Sequence, residues 1–210
     1  MELPAKIALA AAALALLLFG SRARSQARAV TRGLLVGDSI LAHGGAANVL
    51  KQQTGAPWDN VAVVSAGSAA VLQQARTALT RSGHFSHLVV LAGINDGDRP
   101  ASYTKQNLAA IYQLGKSMGA QVIAVTETPF RGYARWTNAA QIRQNDVVGW
   151  LTTRGRGMYA DRVVDARTQF TDPQHPGYLD PRYAADDGLH LNAAGQRFLG
   201  ALILQTIRRG

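Results

Sequence analysis

The sequence has 210 residues, 47% of them hydrophobic, enough for one ordinary domain with a sizeable core. It contains no cysteine, which excludes a disulfide framework, a thiolate nucleophile and a Cys-based zinc site. The net charge of +9 divides into +4 over residues 1–32, where Lys6, Arg22, Arg24, Arg28 and Arg32 oppose Glu2, and +5 over the rest. A +5 domain without a dense basic stripe or a known motif argues against nucleic acid as a partner and for a solvated basic surface.

Residues 7–19 form an uninterrupted apolar run preceded by Lys6 and followed by arginines. The run is shorter than the ~20 residues that span a bilayer comfortably and matches the core of a secretory signal. Small residues at Ser25 and Ala27, or at Ala27 and Ala29, offer cleavage sites. Insertion of the whole stretch 3–20 would instead give a retained anchor with membrane association. The positive charges behind it would then favour a cytoplasm-facing domain. The expectation is export, with residues 1–32 as signal or anchor plus tether and residues 33–210 as the functional domain.

Past residue 32, short β-branched runs alternate with helical patterns. Strands are expected at 33–36, 61–65, 88–92, 122–126 and 162–165. A helix is expected over 40–52. Val71, Leu72, Ala75 and Leu79 mark another, and Leu108, Ile111, Tyr112 and Met118 the next. Residues 139–151 make a weaker one. A final helix starts at the capping residue Asn192 and buries Phe198, Leu199, Leu202, Ile203 and Ile207. This alternation implies a parallel sheet covered on both faces, a three-layer α/β/α domain.

In such a sheet ligands sit beyond the carboxyl ends of the strands. Three strands end in polar, glycine-containing turns: Gly37-Asp38-Ser39, Ser65-Ala66-Gly67-Ser68 and Gly93-Ile94-Asn95-Asp96. A fourth cluster, Asp186-Asp187-Gly188-Leu189-His190, precedes the last helix. Ser39 would present a hydroxyl nucleophile at a strand end and a free N–H at a helix start. A serine needs a base, and His190 is the candidate. Asp187, three positions earlier, fits the role of orienting carboxylate better than Asp186. Gly67 offers an unobstructed N–H, and Asn95 a side-chain amide, to a developing oxyanion. Asp38 and Asp96 read as loop organisers, and His43, His84, His87 and His175 as surface or satisfied core groups. Residues 130–136, with two arginines and three aromatics, follow the fourth strand and would suit a sugar or an anionic group, or form plain surface loop.

These four blocks, in this order, resemble those of the SGNH/GDSL hydrolase superfamily. The resemblance covers residue 33 to the carboxyl terminus. It departs at the second block, where Ser65-Ala66-Gly67-Ser68 lacks the asparagine often found ahead of the glycine, so Ala69 or Ala70 competes with Gly67 as N–H donor. The resemblance implies a flavodoxin-like α/β/α sandwich, a Ser39-His190-Asp187 triad and an oxyanion hole from Ser39, Gly67 and Asn95. It implies neither metal nor organic cofactor, and substrates among lipids, thioesters and acetylated polysaccharides; the export signal and mild positive charge favour a glycan or lipid acyl ester. A non-catalytic binding module of the same fold and an acyltransferase with the same triad are the rival expectations.

Overall fold

A computed structural model of the chain describes residues 28–81, 83–155 and 158–209. The apolar run at 7–19, and with it the expected signal or anchor, lies outside the described residues. Among the described residues no helix is long and apolar enough to cross a membrane.

The chain runs β1 (Gly33–Gly37), α1 (Ser39–Ala42), α2 (Gly45–Thr54), β2 (Trp58–Asn60), α3 (Ser68–Arg81), β3 (His87–Leu91) and α4 (Ala101–Ser117). It continues with β4 (Gln121–Val125), α5 (Asn138–Trp150), β5 (Arg162–Val164), α6 (Ala166–Phe170) and α7 (Ala193–Arg208). The five strands form one parallel sheet in the order β2-β1-β3-β4-β5. β1 and β3 are buried at every position, which explains why they read as unbroken apolar runs rather than as alternations.

Side-chain alternation still decides which layer each residue joins. Leu34, Val36, Leu88, Val90, Val122 and Ala124 face α3 and α4, packing on Val71, Leu79, Leu108, Ile111 and Tyr112. Leu35, Val89, Leu91, Ile123, Val125 and Val164 face the other layer, on Leu41, Leu50, Leu199, Ile203 and Ile207. The three-layer sandwich expected from the sequence is therefore the observed one.

Two expectations are corrected. The second strand lies at Trp58–Asn60 rather than at 61–65. The later segment still donates from Val61 to Leu35 O and from Val63 to Gly37 O, but Val63 and Val64 are 54% and 60% exposed, on the open edge of the sheet. Trp58, directly opposite Gly33 in the register, supplies the buried apolar bulk there. The helix expected over 40–52 is two, because Gly44 is left-handed (φ 78°) and interrupts it. One element, α6, was not expected. Asp165 caps it by accepting from the Thr168 N–H at 3.1 Å.

The β1–β3 register pairs Gly37 with Leu91. Asp38-Ser39 and Ala92-Gly93 consequently leave the sheet side by side, and the polar turns gather at one edge.

Candidate active site

Asp38 ends β1 and caps α1, its Oδ1 accepting from the Ile40 N–H at 3.0 Å. This fixes the sharp turn that starts α1 at Ser39. The Ser39 side chain, 4% exposed, lies 2.8 Å from His190 Nε2. The other ring nitrogen of His190, Nδ1, hydrogen-bonds the Asp187 carboxylate. The three residues singled out in sequence are thus in one hydrogen-bonded chain, although Ser39 and His190 are 151 positions apart.

Asp187 is held by more than its partner ring. Its Oδ1 accepts from the backbone N–H groups of Leu189 at 3.0 Å and His190 at 2.9 Å. Partial burial pushes its carboxyl up, but these bonds and the His190 ring together outweigh that and hold it at about 2. It is therefore ionised at any ordinary pH. Gly188, between the acid and the base, is left-handed (φ 68°), and a Cβ there would lie 2.5 Å from the Gly132 carbonyl carbon. The turn closes only with glycine, and it rests on the loop that follows β4. Asp186, the alternative acid, has no hydrogen bond to the His190 ring among the described residues, although both carboxylates are exposed.

The second and third blocks meet through Asp96. Its Oδ1 accepts from the Ser68 N–H at 2.7 Å and its Oδ2 from the Thr104 hydroxyl at 2.5 Å. Gly67 abuts the same group: a Cβ there would come 2.9 Å from Asp96 Oδ1 and 3.5 Å from Asn95 O. Asn95 donates one amide hydrogen to Ala66 O at 3.3 Å, and its second has no partner among the described residues. Neither the Ser39 N–H nor the Gly67 N–H has a hydrogen-bond partner among the described residues. The structure thus brings Gly67 and Asn95 together at the edge that carries Ser39. Ser65 has φ 61°, a conformation in which asparagine is enriched over other non-glycine residues, so the departure of the second block leaves the backbone path intact at a local steric cost.

Two buried carboxyls underlie this edge. Asp38 is fully buried, and burial pushes it up to about 7, with Asp96 adding repulsion against the Ile40 N–H and His190. Glu127, just past β4 and 4% exposed, is pushed by burial up to about 8, with Asp38 contributing. Glu127 occupies the space that a side chain at position 93 would need: a Cβ on Gly93, whose φ is 135°, would lie 2.1 Å from Glu127 Oε1.

Sequence reasoning missed Glu127 and Gln74, whose Oε1 accepts from the Gly37 N–H at 3.2 Å. It also missed the closeness of His43, exposed on the loop after α1, whose ring meets that of His190 edge-on at 5.3 Å. No local pattern marks them. His84 and His175 are exposed, as expected. His87 is fully buried in β3, where desolvation lowers its pKa to about 4, and only its Nδ1 is paired, with Ser86 Oγ at 3.0 Å. Its Nε2 has no partner among the described residues, so the satisfied core group expected there is only half satisfied. Among the described residues no group of three or more His, Asp or Glu could hold a metal ion.

Two of the hollows among the described residues border segments that leave this sheet edge. One, of about 920 Å³, is an open groove along α3 lined by Val61, Val63, Ala66, Ala70 and Ala78. The other, of about 340 Å³, lies between the 130–136 loop, α5 and α6.

The fold recurs in solved structures at low sequence identity. A GDSL-like lipase from Bacteroides thetaiotaomicron superposes with a TM-score of 0.67 at 19% identity, covering 94% of this chain and 96% of that one. An acetyl xylan esterase gives 0.63 at 15% identity, over 83% and 98%. The psychrotrophic esterase EstA from a Pseudoalteromonas species gives 0.56 at 16%, over 85% and 97%. No protein with a curated description matches the sequence. Residues 35–198 match the family described as GDSL-like lipase/acylhydrolase. With most of its sequence inside that match, this chain belongs to the GDSL-like lipase/acylhydrolase family and is a hydrolase.

Proposed function

We propose that this hydrolase is a serine esterase that cleaves carboxylic esters through an acyl-enzyme on Ser39. The observation that carries the reading is the 2.8 Å hydrogen bond between Ser39 Oγ and His190 Nε2, with the far side of the ring held by an ionised Asp187. In the first step Ser39 Oγ bonds to the acyl carbon as its proton passes to His190 Nε2. The ester C–O bond then breaks, and His190 gives that proton to the departing alcohol. Water attacks the acyl-enzyme, its proton passing through His190 to Ser39 as the acid leaves. Asp187 stabilises the imidazolium formed at each attack.

The oxyanion would be met by the N–H groups of Ser39 and Gly67 and the second amide hydrogen of Asn95. Each such donor contributes about 2.7–4 kcal/mol when measured by deletion in a comparable site. The groove beside Ala66 is the space into which an acyl chain longer than acetyl would extend. A series of p-nitrophenyl esters therefore separates two substrate classes: activity falling beyond acetate indicates a deacetylase, and activity rising with length indicates a lipid esterase.

The decisive test is Ser39→Ala, expected to abolish p-nitrophenyl acetate hydrolysis and labelling by a fluorophosphonate probe. Undiminished hydrolysis by that variant would refute the assignment, and absence of labelling in the wild type would leave a binding module. An acyltransferase would reveal itself by transferring the acyl group to an added alcohol in preference to water. We also take residues 7–19 as an export signal or anchor, which fractionation of the full-length chain would check.

A further inference from the structure

The hollow beside the 130–136 loop differs in chemistry from the rest of the surface. Two guanidinium groups line it, from Arg131 and Arg167, with the Trp136 indole and the carboxamides of Gln141 and Asn145, and no carboxylate. Among the described residues neither arginine has a carboxylate within ion-pairing distance, although Glu127 and Asp165 both act on Arg167 from further off. Arg131 is held by rings, its guanidinium 5.4 Å from the centre of Trp136 and 5.8 Å from that of Tyr178. Stacking of this kind leaves the in-plane N–H groups available.

Arg167 donates through Nε to Glu127 O at 3.4 Å and reaches Asn145 Oδ1 at 3.5 Å, both neutral acceptors. Its Nη2 is buried with no acceptor among the described residues. Asp165, near Arg167 in sequence, is engaged with Thr168 at the start of α6. Glu127 lies behind Arg167, its carboxyl pushed up by burial against the pull of the Arg167 and Arg143 charges. Two positive charges therefore face a polar hollow, and one buried donor lacks an acceptor. An unmade hydrogen bond from a charged buried group is costly, and a small shift of the Arg167 side chain towards an anion in the hollow would relieve it.

The position is as telling as the composition. The floor is built from the segments after β4 and β5, on the same sheet edge as Ser39. β1, β3, β4 and β5 are successive neighbours, so the hollow lies two to three strand spacings, roughly 10–14 Å, from the nucleophile. Its wall, the Arg131-Gly132 backbone, rests against Gly188 in the turn that carries Asp187 and His190. That distance exceeds the reach of a small acyl group and suits a unit further along the alcohol half of an extended substrate.

We infer that this hollow is a subsite for a carboxylate-bearing sugar in the alcohol part of the ester, with Arg131 and Arg167 on the carboxylate and the Trp136 indole against the ring. The inference rests on the esterase reading for its place in a substrate, but its binding test does not.

The experiment uses O-acetylated polygalacturonate and the same polymer methyl-esterified to remove its charge. The wild type is expected to favour the charged form at least about tenfold in kcat/KM, through KM, as two charge-assisted contacts allow. The preference should shrink with added salt and fall towards one in Arg131→Ala and in Arg167→Gln. Both polymers meet the same protein, so a folding defect leaves the ratio unchanged. Equal use of the two polymers by the wild type, or a ratio unaffected by either variant, overturns the proposal. Catalysis is removed from the question by calorimetry on the Ser39→Ala protein with oligogalacturonate. Arg131-dependent binding supports the subsite even if the esterase reading fails, and no binding overturns it. Arg131-dependent binding to phosphatidylglycerol vesicles, with none to oligogalacturonate, would assign the hollow to a lipid headgroup and overturn it too.

Discussion

Replacing Asp38 with asparagine isolates the cost of keeping a carboxylate beneath the nucleophile. The side chain is fully buried, one oxygen accepts from the Ile40 N–H at 3.0 Å, and the other is buried with no partner among the described residues. Asparagine retains the bond to Ile40 and the cap on α1, and removes only the ionisation. Burial raises the carboxyl from 3.8 to about 7. A group with a raised folded pKa binds its proton more tightly in the native state, so the stability it contributes is complete below pH 3.8 and is lost as pH rises towards 7. Each pKa unit is worth ~1.4 kcal/mol, which gives an upper bound of about 4 kcal/mol lost by pH 8. The variant lacks this loss. Its unsatisfied amide costs about 1–3 kcal/mol, but at every pH alike. Urea titrations at pH 5, 6, 7 and 8 should therefore find the stability of Asp38→Asn rising relative to the wild type with pH and levelling near pH 8. In a domain of this size half the bound still moves Tm by several degrees. Glu127 titrates in both proteins, but losing the repulsion from Asp38 lowers its pKa in the variant, a change of the same sign. Both proteins are therefore also compared in a Glu127→Gln background. A stability difference constant from pH 5 to 8 would refute the claim that Asp38 ionises at a cost in the folded chain.

Asn95→Ala should lower kcat for p-nitrophenyl acetate by roughly 10²–10³ with a smaller change in KM; a pure KM effect would remove Asn95 from the oxyanion site. Asp187→Asn leaves the backbone of the turn in place but removes the charge opposite the imidazolium, and a kcat loss of about 10⁴ is expected by analogy with other triads. Gly188→Ala forces a side chain into a left-handed position and against Gly132. It should cost about 1–3 kcal/mol of stability and most of the activity, read by thermal melting beside the same assay.

The sheet and two of the polar turns, after β1 and β3, were legible because each is a local pattern: a buried apolar run that ends in glycine with polar residues close behind. The other two turns were legible by their own residues, a glycine among small polar groups and a carboxylate three positions before a histidine. The acid could be chosen because the spacing from Asp187 to His190 is short and the geometry of so few residues is constrained. What failed failed for want of locality. Val61, Val63 and Val64 carry a strand-like pattern, yet the strand lies earlier because Trp58 finds burial opposite Gly33. The split at Gly44 depends on one left-handed residue in an otherwise helical stretch. Glu127, Gln74 and Arg167 act on groups in other strands, and nothing in their neighbours along the chain announces that. Trp136 and the arginines around it could be named as a candidate loop, but the orphaned Arg167 donor that gives them meaning belongs to an element the periodicity did not reveal.

Gln196 donates to Ile40 O at 2.7 Å and accepts from the Ala46 N–H at 3.4 Å, so the helix behind His190 is bolted to the two helices behind Ser39. Hydroxyl and imidazole therefore keep their separation by a brace on one flank of the sheet, whereas the arginines and the indole stand on the opposite flank, after β4 and β5. Remodelling that second flank leaves the brace untouched. Such a division lets a lineage exchange the molecules it acts upon by changing the arginines and the indole, provided Gly132, on which the Asp187–His190 turn rests, is kept.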